Sequence, residues 1–424
     1  MEIDIILLMR MSLLPAFLFF FSTISHAYLY DFSLSRKLKR DFEKQISKTA
    51  CGKKLLSKFR RNKYPLPEIL LRPDKRGRFA SYGINENKIY FNTRFIFEFF
   101  ASKPKKTGQT IRILYKRKDA REEWVKYADS VFIHELVHAF QNWKYPNFRF
   151  DMLSGNMTEF EYEAYLVEDM YFHEKAKSDP ETIKKFLRGE YTDPYLEHAM
   201  ASYLNLSLDL DEYRKRIEER YESDEGYVSM DAAIEQQRGR VKSEKIIAYA
   251  SGRVNVYLDN VKQLEQIEKA RLDYSKFIQK FYDEIWPDFS IDALEFLGKT
   301  ALEVENYPLA LNCLAVADIK SERFSKEKIK RLKEDAAIAI LRAGDFISDN
   351  KEKMDIAEMS QNIKALETAC KKTGRPFPKR LAKLRREVYR KAIKYYLSKL
   401  GSAEEEEAEY FRKNIEFFTN ALKP

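Results

Sequence analysis

Two histidines and a glutamate near the middle of the chain have the spacing needed to bind a metal ion and activate water. His134 and His138 are four residues apart, so on an α-helix they lie on one face and can bind the same Zn²⁺. Glu135 follows the first histidine and can take a proton from water beside the metal. The flanking residues are apolar, which predicts a helix buried nearly all round: Val131, Phe132, Ile133, Leu136, Val137, Ala139 and Phe140.

The alternative to a metal site is a buried helix whose histidines are only hydrogen-bonded. The chain has five His residues, and two of them belong to this pair. Charged groups inside an apolar helix are costly unless they are paired or bound to a metal. Both observations favour the metal site.

A second predicted helix, downstream of the histidines, offers carboxylates for a third ligand. Catalytic zinc sites of this kind take two His and one carboxylate and leave a position open for water. Thr158 and Glu161 have the spacing of a capping box, which starts a helix and gives Glu161 a structural role. Glu159 and Glu163 share a face, where a cation would relieve their repulsion. We predict Glu163 as the third ligand, next to the small residue Ala164, with Glu159 as the alternative.

Two further histidines are weaker candidates for the site. His173 follows Glu163 on the same predicted helix and could be a ligand or a hydrogen-bond donor. His198 could approach the site from the next helix. Histidines in such positions are more often ordinary surface residues than ligands.

These motifs together resemble those of gluzincin-type zinc metallopeptidases, including poorly characterised bacterial metallopeptidase domains. The resemblance is carried by His-Glu-Leu-Val-His-Ala-Phe-Gln at 134–141 and Glu-Tyr-Glu-Ala-Tyr at 161–165, and it covers about residues 60–180. Residue 144 is Lys, so the third His of the metzincin pattern is missing.

The resemblance implies a zincin-like α+β catalytic domain that hydrolyses peptide bonds in a peptide or protein substrate. His134, His138 and Glu163 would bind Zn²⁺, and Glu135 would be the general base. Either Glu168 or Asp169 could orient a ligand histidine through its free ring nitrogen.

Three strand-like segments precede the histidine motif and predict a small sheet: Glu68–Arg72, Arg78–Tyr82 and Lys88–Asn92. The last two are separated by the turn-forming residues 83–87 and read as a hairpin. By the same resemblance, Lys88–Asn92 is our candidate for an edge strand that pairs with extended substrate. The alternative is an ordinary hairpin without that role.

The N-terminal residues 1–27 predict a signal peptide and therefore an exported, periplasmic or extracellular protein. An almost wholly apolar run at Ser12–Ser22 is followed by small residues at Ser25 and Ala27. The acidic residues Glu2 and Asp4 fit this prediction badly. The alternative is an uncleaved N-terminal membrane anchor. After cleavage we expect no stable membrane insertion.

Composition predicts a mainly α protein, because the 424 residues include only 13 Gly and 13 Pro. We predict a zincin-like domain at 28–225, a helical connector at 226–289 and a helical domain at 290–424. The last domain weakly resembles a tetratricopeptide repeat and could bind a protein partner; the alternative is a plain helical bundle. The resemblance rests on Leu297, Gly298, Ala301, Tyr307, Ala310, Leu314 and Ala317.

Charge and cysteine content exclude some classes of protein. The net charge is +10, but basic and acidic residues are interleaved and no nucleic-acid module is recognisable, so we predict a solvated helical surface and no nucleic-acid partner. Three widely separated Cys residues do not form a disulfide framework. One bridge is possible in an oxidising compartment, and the sequence does not choose the pair.

The sequence thus favours an exported zinc-dependent metallopeptidase with a helical C-terminal domain. The alternative is a helical-repeat scaffold protein whose zincin-like domain is structural or inactive. An intact Glu135 favours the enzyme, because a site that only holds a metal needs no base. A zinc hydrolase acting on a non-peptide amide is a third option.

Overall fold

The computed structural model describes residues 33–423, apart from 75–76, 102–109, 145–155, 191–199, 201–209, 223–226, 252–253 and 321–323. The described residues group into two units. One contains the residues up to Lys175 together with Arg214–Phe277, and the other contains Ala176–Tyr213 and the residues from Ile278 onward. The predicted connector at 226–289 is therefore divided between them at Phe277. The predicted signal peptide and His198 lie outside the described residues.

The described chain is mainly helical, with one three-stranded sheet and one two-stranded sheet. In the described part, no helix is long and apolar enough to cross a bilayer. The elements of the first unit are α1 (33–46), α2 (Ala50–Arg61), β1 (Glu68–Arg72), β2 (Ala80–Gly83), β3 (Lys88–Asn92), α3 (Thr93–Ala101), α4 (Thr110–Lys116), α5 (Lys118–Lys144), β4 (Asn156–Met157) and α6 (Thr158–Ser178). Helix α7 (Pro180–Leu187) belongs to the second unit. The next four elements belong to the first unit, apart from the first residues of α8 and the last residues of α10: α8 (Leu210–Glu222), β5 (Tyr227–Val228), α9 (Met230–Ser251) and α10 (Val254–Lys280).

The three-stranded sheet has the order β1-β3-β2. The predicted hairpin is confirmed, because β2 pairs antiparallel with β3 and Tyr82 lies opposite Ile89. Strand β1 pairs with the other side of β3 in parallel. Our prediction that Lys88–Asn92 is an edge strand is therefore wrong. Ile89 and Phe91 are completely buried, as expected for the central strand of a covered sheet.

An aromatic cluster holds the histidine-bearing helix α5 against the sheet and α1. Phe132 of α5 stacks on Phe42 at 4.5 Å between ring centroids. Trp124, two turns earlier on α5, meets Phe91 of β3 edge-on at 4.9 Å. Aromatic pairs of this kind add to the stability of a buried interface. Because Phe132 and Trp124 are both on α5, their contacts determine the rotation of this helix about its axis in the core.

Polar contacts fix α6 beside α5. The buried carboxylate of Asp129 on α5 accepts hydrogen bonds from Lys175 of α6 at 2.7 Å and from Gln45 of α1 at 2.9 Å. The residue before Lys175, Glu174, accepts a hydrogen bond from the backbone N–H of Ala50 at 2.6 Å, at the N-terminus of α2, where a negative charge is favourable. These contacts determine the position of α6 along its axis, and its rotation about that axis, relative to the histidine motif.

The second unit is a succession of helices, each packed on the next. After a π-helical turn at Phe281–Ile285 come α11 (Trp286–Glu303), α12 (Tyr307–Lys320), α13 (Lys326–Asn350), α14 (Ile356–Lys372), α15 (Ala382–Leu400) and α16 (Glu405–Ala421). Gly298 of α11 lies at a close contact with α12, because a Cβ atom there would lie 2.6 Å from Cγ of Leu314. Cys51, Cys313 and Cys370 are all free thiols.

Candidate metal centre

The histidine pair lies on one face of α5, as the spacing predicts. The Nε2 atoms of His134 and His138 are 3.1 Å apart. Both residues are largely shielded from solvent, and His134 is 8% exposed. Two imidazole lone pairs that face each other at this distance repel unless a proton or a cation lies between them. The pair is thus arranged to bind a shared cation.

Glu161 of α6 completes the set of donor atoms. One of its carboxylate oxygens is 3.2 Å from Nε2 of His134, and the other is 3.4 Å from Nε2 of His138. The three ligand atoms lie within 4.8 Å of one another. Two imidazoles and one carboxylate, converging on one point, form a set of donors suited to a divalent metal.

The structure brings Glu161 to the histidines where the sequence prediction placed Glu163. The two residues are two positions apart, so on a helix their side chains leave the axis in directions about 160° apart. Glu163 instead accepts a hydrogen bond from the side-chain amide of Gln141 at 3.0 Å. The alternative candidate, Glu159, is not in the cluster of three donors either. The capping-box spacing suggested a local role for Glu161, but its carboxylate turns to the histidines of α5.

The outer nitrogens of both imidazoles are also hydrogen-bonded. Nδ1 of His134 is 3.1 Å from a carboxylate oxygen of Glu168, and Nδ1 of His138 is 2.9 Å from Oε1 of Gln141. Both partners are acceptors, so each Nδ1 carries the hydrogen and each Nε2 can offer its lone pair to the centre. Of the two residues suggested for orienting a histidine, Glu168 is thus in contact with one. Asp169 is buried on the same helix.

The electrostatics of the three donors are strongly coupled. Burial lowers the pKa of His134, but hydrogen bonds to Glu161 and Glu168 outweigh it and raise that pKa well above its usual value. Burial raises the pKa of Glu161, but the nearby His138 and His134 lower it by more. The pKa of Glu161 is therefore far below its usual value, and the carboxylate stays ionised. An anionic Glu161 and two imidazole nitrogens can bind either protons or a metal ion, which compete for the same lone pairs.

Glu135 lies beside this cluster and has the properties of a proton acceptor. It is 7% exposed. Burial raises its pKa, against the lowering effect of His138 and His134. A carboxylate with a raised pKa holds a transferred proton better than an exposed one does. The role of Glu135 in proton transfer stays a prediction.

Two tyrosines near Glu161 were not identified from the sequence as a pair. Tyr221 of α8 donates a hydrogen bond to Glu161 at 3.2 Å, and its hydroxyl is 3.0 Å from that of Tyr165 on α6. Tyr165 also packs edge-on against the His134 ring at 4.7 Å. The sequence around Tyr221 is rich in charged residues and resembles a solvated helix face, which gave no signal for this contact.

His173, the weaker candidate ligand on α6, is buried at 5% exposure but is not one of the three clustered donors. Residues 161, 165 and 168 follow one another at helical spacing on the face of α6 that meets α5. Residue 173 lies more than one turn beyond that series. The structure thus places His173 away from the donor cluster.

Comparisons with known proteins add no relative: no family model, no curated protein and no solved structure matches the chain.

Proposed function

We propose that this protein is a zinc-dependent metallopeptidase in which His134, His138 and Glu161 hold the metal and Glu135 is the general base. The observation that carries the proposal is the convergence of these three donors beside a buried carboxylate. Zinc bound by nitrogen and oxygen at about 2.0–2.1 Å in a tetrahedron has its donors about 3.3 Å apart. Here the two Nε2 atoms are 3.1 Å apart, and each has a different oxygen of Glu161 close by, at 3.2 Å from His134 and 3.4 Å from His138. These separations are close to that spacing and support zinc as the metal.

Each residue of the site has a separate role in hydrolysis. When bound, zinc would polarise the substrate carbonyl and lower the pKa of a water molecule. Glu135 accepts the proton of the attacking water on its carboxylate and passes it to the amine that leaves. Glu168 and Gln141 keep the two imidazoles in the orientation that directs Nε2 to the centre. No covalent bond between enzyme and substrate is required.

Strand β2 supports a peptide as the substrate. Its outer edge pairs with no strand among the described residues, whereas β3 is paired on both sides. β2 is also tied to α5, because Asn142 donates a hydrogen bond to the hydroxyl of Tyr82 at 3.0 Å. An extended peptide adds readily to a free sheet edge through its backbone. We therefore assign β2, in place of β3, as the strand that pairs with substrate.

The first test combines metal content with hydrolysis. Purified protein should contain one zinc per chain by elemental mass spectrometry and should cleave members of a peptide library, with the cuts identified by mass spectrometry. His134→Ala should lose both zinc and cleavage. Glu135→Gln should keep zinc and lose about 10²- to 10⁴-fold in rate, because only the proton acceptor is changed.

Two results would contradict the proposal. One is folded wild-type protein, checked by circular dichroism, that does not bind zinc when zinc is supplied. The other is a Glu135→Gln variant that cleaves as fast as the wild type. A zinc-loaded protein that cleaves no peptide would favour a scaffold with a structural site, and the search would turn to partners of the second unit.

A further inference from the structure

The side-chain amide of Gln141 is one of the most enclosed polar groups near the metal centre. The residue is 1% exposed. Its nitrogen lies 3.1 Å from the backbone carbonyl of Phe160 and 3.0 Å from a carboxylate oxygen of Glu163. Its oxygen lies 2.9 Å from Nδ1 of His138. Every part of the amide therefore has a partner, and the mechanism above uses only one of these contacts.

These contacts determine which way the amide of Gln141 points. A carbonyl oxygen and a carboxylate accept hydrogen bonds but cannot donate them, so both must face the NH₂ group, which has two hydrogens. Rotating the amide by 180° would place its oxygen against two acceptors in a buried site, at the cost of two unmade hydrogen bonds. Only the oxygen of Gln141 is then available to His138.

The orientation of the amide in turn determines the tautomer of His138. An oxygen acceptor requires the hydrogen of the neutral imidazole to be on Nδ1, which leaves the lone pair on Nε2. Nε2 is the atom that faces His134 and Glu161. Without a directing partner, a neutral imidazole can carry its hydrogen on either nitrogen.

We propose that Glu163 and Gln141 form a positioning relay that holds His138 in its metal-binding tautomer. This inference rests on the proposed function. Glu163 fixes the amide of Gln141, and the amide fixes the ring. His134 receives the equivalent support directly from Glu168. Helix α6 thus provides Glu161 for the metal. It also provides Glu168 as the partner of His134, and Glu163 as the partner of Gln141, which contacts His138.

The relay gives Glu163 a role that differs measurably from that of a ligand. A ligand acts through its charge and its bond to the metal, so Glu163→Gln and Glu163→Leu would both remove it. A positioning residue needs only an acceptor for the Gln141 amide. The oxygen of a glutamine side chain can supply this acceptor, whereas leucine has none.

The experiment measures zinc affinity and the tautomer of His138 in four variants of the full chain. Zinc affinity is obtained by competition with a chromophoric chelator. The tautomer is read from ¹⁵N-histidine NMR spectra of metal-free protein with neutral imidazoles, which is practicable because the chain has five His residues. The variants are Gln141→Leu, Glu163→Leu, Glu163→Gln and Asn142→Leu. Asn142 is the matched control, since its amide contacts Tyr82 and Ile84.

We expect Gln141→Leu and Glu163→Leu to weaken zinc binding about 10- to 100-fold, the usual effect of losing an outer partner of a metal ligand. In both variants the His138 signals should move away from the Nδ1–H tautomer. Glu163→Gln and Asn142→Leu should stay within about threefold of the wild type, with the wild-type tautomer.

The proposal is overturned if Gln141→Leu keeps both the tautomer and the affinity of the wild type. It is also overturned if Glu163→Gln loses zinc as completely as His134→Ala, since Glu163 would then be a ligand. Failure of the proposed function would look different, because wild-type protein would bind no zinc. Even then, the tautomer measurement on metal-free protein would test the relay by itself.

Discussion

Glu161 meets His134 across 3.2 Å, between one carboxylate oxygen and Nε2 of the ring. This contact joins α6 to α5 at the centre of the donor cluster. It is the reason why we propose Glu161 as the third ligand, in the role that the sequence suggested for Glu163.

Replacing Glu161 by Ala should remove zinc binding almost completely. The loss should exceed the roughly 10- to 100-fold reduction expected for an outer partner, because a donor atom itself is lost. Glu159→Ala, on the same helix and with the same change of charge, is the matched control and should retain zinc. Isothermal titration with zinc compares the two. Equal losses in both variants would show that the effect is one of charge and not of ligation.

Glu168 should act on zinc through the orientation of His134. Glu168→Gln keeps an oxygen that accepts from Nδ1 but removes the negative charge, whereas Glu168→Leu removes the acceptor. We expect a graded loss of zinc affinity, small for Gln and approaching about 100-fold for Leu. Chelator competition measures both. The assignment would be wrong if Glu168→Leu bound zinc as tightly as the wild type.

The hydroxyl of Tyr221 should hold the carboxylate of Glu161 in place. Tyr221→Phe removes one hydrogen bond to a charged group, which is worth about 1.5–3 kcal/mol, and should therefore weaken zinc binding by about tenfold or more. Tyr165→Phe should have a smaller effect, because the hydroxyl of Tyr165 is hydrogen-bonded to that of Tyr221, which in turn donates to Glu161. Zinc titration of both variants tests this order. A larger loss in Tyr165→Phe would contradict it.

The three cysteines should be unreactive thiols in the folded protein. Burial raises the pKa of Cys51 and that of Cys313 to about 12, and it also raises the pKa of Cys370. Since the thiolate is the reactive form, only about one thiol in 10⁴ with such a pKa is reactive at pH 8. A chromogenic thiol reagent should detect three thiols in denaturant and react very slowly without it. Detection of one thiol in unreduced, denatured protein would instead indicate a disulfide.

Gly298 should be required for the close packing of α11 on α12. In Gly298→Ala, the new methyl group would lie 2.6 Å from Cγ of Leu314. Overpacking of this kind costs about 1–3 kcal/mol, more than the roughly 1 kcal/mol that alanine gains in a helix. Gly344→Ala in the same unit is the control, since its nearest neighbour would be 3.5 Å away. Thermal unfolding should show a lower Tm for the first variant only; equal Tm values would contradict the packing argument.

The sequence by itself determined the parts of this protein that depend on local spacing. The four-residue interval between His134 and His138 fixed their common face, because an α-helix repeats every 3.6 residues. Scarce glycine and proline together with periodic apolar residues indicated a mainly helical chain. The hairpin of β2 and β3 followed from two short apolar runs around a turn, which the structure closes with Asn87 in the left-handed region.

The tertiary structure decided everything that depends on how separate elements meet. Glu161 and Glu163 are both on α6, and only the rotation of that helix, set by Lys175 on Asp129, decides which of them faces the histidines. The position of β3 within its sheet depends on β1, a partner from outside the hairpin. Tyr221 reaches the site from another helix altogether. Spacing along one helix cannot encode such contacts, because they arise from the packing of residues that are distant in the chain.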